Sequence, residues 1–356
     1  MHKIRILIVD DAVVVRRIVS HALSEDPALE VVGTAPNGRI ALAKIPQVNP
    51  DLIILDLEMP EMDGLQTLAA IKKTYPHLPT IVFSARTELG AAATLDALAL
   101  GATDYLTKPA KMSKQEAIRY IQDRLIPKIK LFCQRDRMKH MQRLQRRSTP
   151  PAPSKPIPVG AIARGKVNIV AIGVSTGGPN ALVELLPALP ANFPVPIAIV
   201  QHMPPMFTNR LAARLNQLCQ IEVAEGFPGA SLEPGTAWIA PGNYHMVVER
   251  HGTQVRLKTN QDPPENSCRP AVDVLFRSVV KTYGSGTLGA ILTGMGQDGL
   301  QGCEYIREAG GRTIAQDQAS SVVWGMPAMV VQAGLADAVL PLEQIAGEMI
   351  RCVMGQ

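Results

Sequence analysis

A serine between glycines, a histidine that closes an apolar run and an aspartate in a glycine-rich loop stand in the second half of this chain. They are Ser175 in "AIGVSTGGPN", His202 at the end of "VPIAIVQH" and Asp298 in "ILTGMGQDG". The spacing G-x-S-x-G, at Gly173, Ser175 and Gly177, sets the hydroxyl where a strand meets a helix. A serine becomes nucleophilic when a base takes its proton, and that base needs an orienting carboxylate. The same glycines also read as a phosphate cradle at a helix N-terminus. That reading is weaker, because G-x-G-x-x-G spacing is absent and no G-K-[ST] follows. His202 ends a strand on the sheet edge expected for Ser175, although strand-end histidines more often pack or hydrogen-bond. Asp298 has two competitors, Asp273 within the helical pattern "AVDVLFRSV" and Asp317 in a polar segment. The order Ser, His, Asp differs from that of α/β-hydrolases, so a triad here lies on another α/β arrangement. Gly294, Gly296 and Gly299 let the backbone around Met295 approach a ligand; an N–H there, with the Thr176 hydroxyl nearby, is the candidate oxyanion donor.

The first half carries a second constellation. Asp10 and Asp11 end the first candidate strand, Asp56 the third, Ser84 the fourth and Lys108 the fifth. In a doubly wound sheet these ends converge on the ligand crevice. Three carboxylates there repel one another unless a hard cation joins them, and Mg²⁺ suits such an oxygen-rich site. Lys108 then pairs with a phosphoryl group and the Ser84 hydroxyl bonds to it. Helix capping alone would explain Asp11, but not the whole set of strand-end residues.

The elements that position these residues follow from hydrophobic period. "IRILIVD" (4–10), "LEVVGTA" (29–35), "DLIILD" (51–56), "TIVFSA" (80–85) and "DYLT" (104–107) read as strands, with helical patterns between them. Five βα units predict a parallel, doubly wound, flavodoxin-like sheet, its last helix running from about Ser113 to Phe132. The basic run "QRDRMKHMQRLQRR" follows, read as a solvated helix extension, and then five prolines between Pro150 and Pro158 mark a linker. From Val167 the β/α alternation resumes with strands at 167–174, 195–202 and 287–294, helices near 179–189 and 271–283, and a hairpin across His251 and Gly252. The expected division is therefore an α/β unit over 1–132, a linker over 133–165 and a second α/β unit over 166–356. The second unit is read as α/β with a mainly parallel sheet and an added β-hairpin.

Composition bounds the rest. A length of 356 residues suits two domains, and 46% hydrophobic with only 4% aromatic residues means cores filled by small aliphatics. The five cysteines are scattered without C-x-x-C spacing, which fits free thiols in a reducing compartment. No apolar stretch approaches a membrane span and "MHKIRILIVDD" is no signal peptide, so the expectation is a cytoplasmic protein without membrane insertion.

"LIVDD", "LDLEMPEMDG", "FSA" and "DYLTKP" resemble the receiver domain of two-component response regulators over essentially all of residues 1–130. The resemblance implies that Asp56 accepts a phosphoryl group from a chemotaxis histidine kinase. It further implies that Asp10, Asp11, Asp56 and the backbone carbonyl of Glu58 hold Mg²⁺, that Ser84 and Tyr105 form a switch pair, and that Lys108 meets the phosphate. "AIGVSTGGPNAL", "IVQHMPPMFT", "WIAPGNYHM", "SCRPAVDVLF", "ILTGMGQDGLQG" and "AQDQASSVVWGMPAMVV" resemble the catalytic domain of chemotaxis protein-glutamate methylesterases over nearly all of residues 166–350. That implies Ser175 as nucleophile on a γ-glutamyl methyl ester of a methyl-accepting chemoreceptor, His202 as base, Asp298 as its orienter, and deamidation of receptor glutamines at the same site. One departure stands at Cys268, where the family pattern has histidine before Arg-Pro; it bears on a substrate contact. The resulting expectations are a monomer with no cofactor for the esterase, no nucleic-acid partner, and a receiver that inhibits the esterase until Asp56 is phosphorylated. The alternatives are a non-catalytic phosphorylation-gated adaptor and a DNA-binding response regulator. The latter needs a helical output domain, against the β/α pattern after Val167.

Overall fold

The computed structural model describes residues 3–85, 87–109, 112–145 and 165–355, with side chains of 134–145 left undescribed. The proline-rich part of the expected linker, residues 146–164, lies outside the described residues. The chain divides into two compact units between Ile157 and Pro158.

In the first unit the order is β1 (Ile4–Val9), α1 (Val13–Ser24), β2 (Leu29–Ala35), α2 (Gly38–Val48), β3 (Leu52–Leu55), α3 (Gly64–Thr74), β4 (Thr80–Ser84), α4 (Glu88–Ala99), β5 (Asp104–Thr107) and α5 (Lys114–Gln145). The strands form one parallel sheet in the order β2-β1-β3-β4-β5. Every residue of β3 and β4 is buried, as a strand covered by helices on both faces requires. Asn37, Asp63 and Thr87 cap α2, α3 and α4 by accepting from Ile40, Gln66 and Gly90 N–H groups. α5 continues beyond the expected Phe132 to Gln145, so the basic run up to that residue is helical.

The second unit continues with β6 (Ile169–Val174), α6 (Gly178–Leu185), β7 (Ile197–Gln201), α7 (Phe207–Leu218), β8 (Glu222–Glu225), β9 (Thr236–Ile239), β10 (His245–His251), β11 (Gln254–Asn260), α8 (Val272–Tyr283), β12 (Thr287–Ile291), α9 (Leu300–Glu308), β13 (Arg312–Gln316), α10 (Met326–Gln332), β14 (Ala338–Leu340) and α11 (Leu342–Met354). Seven parallel strands run in the order β14-β13-β12-β6-β7-β9-β8. β10 and β11 make a separate antiparallel pair, with His251 opposite Gln254, so the turn lies one residue beyond the expected place. The chain departs from β6 to β7 on one side and returns to β12 on the other, which puts the switch point at the carboxyl end of β6. Among the described residues no helix is long and apolar enough to cross a membrane.

The contact between β6 and α8 is tight because Gly173 has no side chain. A Cβ built there would lie 2.4 Å from Val272 Cγ1 and 2.9 Å from Ile291 Cδ1. Both tryptophans, Trp238 and Trp324, belong to this unit, so their fluorescence reports its unfolding alone. Gly173→Ala is expected to destabilise it by about 1–3 kcal/mol through overpacking. Adding Val272→Ala in the same chain should recover part of that loss, as contacting sites do not add. Denaturant titration followed by tryptophan fluorescence checks both; full additivity would show that the two groups do not meet.

Candidate active site

Two adjacent parallel strands end in Ser175 and His202. Val174 pairs with Gln201 in register, and His202 N–H donates to the Val174 carbonyl at 3.1 Å. Ser175 N–H donates to Thr293 O at 3.0 Å, which ties the serine to the strand end on its other side. The flanking glycines are both sterically required. Gly177, with φ +80° ahead of α6, would drive a Cβ to 2.5 Å from Val322. Buried Gln201 adds a clamp that the sequence motif does not reveal: its Nε2 donates to Ser175 O at 2.9 Å and to His202 O at 3.3 Å.

Of the three aspartates considered, Asp298 is the one that meets the imidazole, with Oδ2 2.7 Å from His202 Nε2. A carboxylate at that distance fixes the ring proton on Nε2 and leaves the Nδ1 lone pair unprotonated in the neutral ring. Asp298 is itself buried, yet all its acceptor sites are filled. Oδ2 also accepts from Val272 N–H at 2.7 Å, and Oδ1 accepts from Asp273 N–H at 3.0 Å and Asn266 Nδ2 at 3.0 Å. The two backbone donors are the first N–H groups of α8, an anion site by construction. Burial works to raise its pKa, but His202 and these N–H groups outweigh burial and hold the carboxyl below its ordinary value. Burial likewise works to lower the pKa of His202; Asp298 foremost and then Cys268 reverse that, and it lies well above the usual histidine value.

Asp273 is not the histidine's partner but a support for it. From the first turn of α8 its Oδ1 accepts from Gly299 N–H at 3.0 Å and Gly302 N–H at 2.6 Å, at the start of α9. Asp298 precedes α9 and caps α8; Asp273 lies in α8 and caps α9. Asn266 joins the two, donating to Asp273 Oδ2 at 2.8 Å as well as to Asp298. Burial first, and then the neighbouring Asp298 charge, push Asp273 up to about 6. Asp317 lies apart, accepting from Ser320 N–H and Oγ–H at 2.9 and 2.7 Å.

Asn266 sits on a two-residue turn, with φ +52° at Asn266 and +61° at Ser267, closed by hydrogen bonds between Glu265 and Cys268 in both directions. Positive φ at both central residues is the type I′ pattern. Turned this way, the loop lays Cys268 Sγ 3.7 Å from His202 Nδ1. Neither Asn266 nor this thiol contact was foreseen; "ENSC" carries a turn signal only in the asparagine. The oxyanion candidates divide. Thr176 is buried and its carbonyl accepts from Thr293 Oγ at 2.9 Å, while Met295 is exposed. Among the described residues the Met295 N–H has no hydrogen-bond acceptor, whereas Gly294 N–H is used on Val323 O at 2.9 Å.

In the first unit, Asp10, Asp11 and Asp56 bring carboxylate oxygens within 4.8 Å of one another at the β1/β3 switch point. Asp11 does not cap α1, whose N-cap residue is Ala12 with no side-chain cap hydrogen bond. Lys108 Nζ lies 2.8 Å from Asp10 Oδ2 and 2.7 Å from Asp56 Oδ2, ion pairs in which neither oxygen gains a well-aligned donor. Burial raises the Asp56 pKa to about 6, with Lys108 opposing and the Asp10 charge adding to the rise. One ammonium against three carboxylates leaves excess negative charge on hard oxygen donors, which fits Mg²⁺. Glu58 is exposed, its N–H 3.4 Å from Asp56 Oδ1. Ser84 is buried, and its hydroxyl donates to Gly90 O at 3.0 Å rather than into the acidic cluster. Tyr105 lies two residues before Thr107, which pairs with Ser84 across β4 and β5, and burial raises its pKa well above the ordinary tyrosine value.

Residues 170–349 match the CheB methylesterase family and residues 6–119 the response regulator receiver domain. A protein-glutamate methylesterase/protein-glutamine glutaminase of Trichodesmium erythraeum is 60% identical over 99% of this chain and 99% of its own length. One from a Nocardioides species is 49% identical over 99% of this chain and 96% of its own. The crystal structure of the Thermotoga maritima CheB methylesterase catalytic domain, 42% identical, covers 52% of this chain and 99% of that one with a TM-score of 0.51. The chain thus belongs to the protein-glutamate methylesterase/protein-glutamine glutaminase family, a response-regulator receiver joined to a CheB methylesterase domain.

Proposed function

We propose that Ser175, His202 and Asp298 hydrolyse γ-glutamyl methyl esters, and the related glutamine amides, on chemoreceptors, and that phosphorylation of Asp56 switches this on. The observation that carries the catalytic reading is the His202–Asp298 pair at 2.7 Å, seated beside the strand end that presents Ser175. Since Nε2 is committed to Asp298, the proton of Ser175 Oγ passes to His202 Nδ1 as the oxygen attacks the ester carbonyl carbon. The C–O bond to methoxide then breaks, His202 returns the proton and methanol leaves. Water attacks the acyl-serine by the same route in reverse, releasing the glutamate side chain and Ser175. Asp298 stays ionised and stabilises the imidazolium. The Met295 N–H, with the Thr176 hydroxyl, is the donor set assigned to the tetrahedral oxyanion.

In the receiver, the carboxylates of Asp10, Asp11 and Asp56 and the carbonyl of Glu58 are the groups that would hold Mg²⁺. When bound, the ion supplies neutralising charge for phosphoryl oxygens. Asp56 takes the phosphoryl group from a histidine kinase, Lys108 pairs with it, and Ser84 turns from Gly90 O towards it, with Tyr105 as its partner in the switch. The receiver is assigned an inhibitory role relieved by this change, in a cytoplasmic protein working as a monomer without nucleic acid. The strongly β/α second unit and its histidine–aspartate pair favour this over an adaptor or DNA-binding role.

Ser175→Ala should cut methanol release from methylated receptor by about 10³-fold or more while tryptophan fluorescence stays native. Equal release would remove the serine from the reaction. The pH profile gives a second check. His202 must be neutral to act, and Asp298 holds its proton more tightly, so kcat/KM should rise with pH along a limb above the ordinary histidine value. Asp298→Asn removes the charge, so the limb should move to lower pH while the plateau falls by up to about 10⁴-fold. A limb that stays in place would mean Asp298 does not set the histidine's proton affinity. For regulation, a small acyl phosphate with Mg²⁺ should raise the full chain's esterase rate by about 5- to 150-fold, the usual span of such coupling. The rise should vanish on chelation of Mg²⁺ and in Asp56→Asn; a rise that survives Asp56→Asn would refute the assignment.

A further inference from the structure

Cys268 faces the nitrogen of His202 that the hydrolytic mechanism uses. Its Sγ lies 3.7 Å from Nδ1, while Nε2 is held by Asp298 at 2.7 Å. A sulfur, a ring nitrogen and a carboxylate oxygen, from Cys268, His202 and Asp298, all fall within 4.8 Å of one another. In tetrahedral zinc sites Zn–S is about 2.3 Å and Zn–N about 2.0–2.1 Å, which places sulfur and nitrogen about 3.6 Å apart. The pair is therefore already at the spacing of two ligands of one ion. The groups are also presented correctly. Nε2–H donated to Asp298 directs the Nδ1 lone pair towards the sulfur, as an outer carboxylate does for a metal-binding histidine. Asp298 has no freedom to leave that role, because Val272 N–H, Asp273 N–H and Asn266 Nδ2 hold it as well. Cys268 is fixed by its paired hydrogen bonds to Glu265 across the Asn266–Ser267 turn.

We infer that Cys268 Sγ and His202 Nδ1 form a binding site for a thiophilic divalent cation such as Zn²⁺, and that its occupancy reversibly inhibits the esterase. Binding replaces the thiol S–H by an S–metal bond with loss of the proton to solvent; a protonated His202 loses its Nδ1 proton to solvent as well, and the freed lone pair fills a second position. Water, or the Ser175 hydroxyl, completes the shell from the cleft. One thiolate and one imidazole select Zn²⁺ or Co²⁺ over Mg²⁺, whose preference is for hard oxygen. The site is thus chemically distinct from the acidic cluster of the receiver, although both lie in the same chain. Inhibition rests on the proposed role of Nδ1 as base; binding does not.

The experiment uses the untagged full-length chain with Mg²⁺ in excess, so that the receiver cluster is served separately. Co²⁺ should give a near-ultraviolet thiolate-to-cobalt charge-transfer band at one equivalent. That band should be lost in Cys268→Ser and in His202→Gln, but retained in Ser175→Ala and Cys219→Ser. Zn²⁺ should inhibit methanol release reversibly by chelator. With each rate normalised to the same variant without zinc, Cys268→Ser should need about 10- to 100-fold more metal. A cobalt band unchanged by Cys268→Ser, or equal zinc inhibition in wild type and Cys268→Ser, overturns the site. If His202→Gln instead loses the band yet keeps full esterase activity, the cation site stands and the catalytic reading of His202 falls.

Discussion

The catalytic unit is organised around one buried negative charge. An isolated carboxylate removed from water is very costly, and Asp298 avoids that cost by accepting from four donors of three kinds: an imidazole, a side-chain amide and two helix N–H groups. Each donor fixes a different part of the fold. His202 closes β7, Asn266 belongs to the turn ahead of α8, and the N–H groups begin α8 itself. The carboxylate therefore sets the histidine's orientation, its tautomer and the depth at which α8 packs on the sheet. The close approach of Val272 to Gly173 follows from the same seating.

Asp273 extends this constraint to the loop that carries Asp298. By accepting from Gly299 and Gly302 it holds the start of α9, and so the backbone from which Asp298 projects. Two like charges side by side disfavour each other, and the pair resolves this asymmetrically. Asp298, with the imidazole and the helix end, keeps its charge easily, whereas burial and its neighbour drive Asp273 towards its protonated form. The result is one carboxylate on the imidazole and one on the start of α9.

The receiver meets the same problem of clustered charge at strand ends by other means. Among the described residues Asp10 and Asp56 share the Lys108 ammonium, and with Asp11 the cluster keeps excess negative charge. Helix N–H groups and an imidazole meet the charge of Asp298 in one unit, and a lysine ammonium meets that of Asp10 and Asp56 in the other. The roles proposed for them, a permanent base-orienting group and a switchable acceptor, call for that difference, because only the second must change state.

Much of this was legible in the residues. The five receiver strands were placed to within a residue or two because buried parallel strands are continuous apolar runs with polar residues at their ends. The nearness of Ser175 and His202 was legible for a related reason: the carboxyl ends of adjacent parallel strands share an edge, so a strand-end position implies proximity before any contact is known. Strands β8, β13 and β14 escaped, being short and, in β8 and β14, less buried. What only the tertiary structure decided is which aspartate meets His202 and what else does. Asp273 and Asp298 lie 25 residues apart and look equally acidic in the sequence, but the packing of α8 against α9 crosses their roles. Gln201, Asn266 and Cys268 enter the site through a clamp and a turn whose partners are distant in sequence. Hydrophobic period determines where strands end; direction of a side chain across a loop depends on backbone angles and long-range hydrogen bonds that no local pattern encodes.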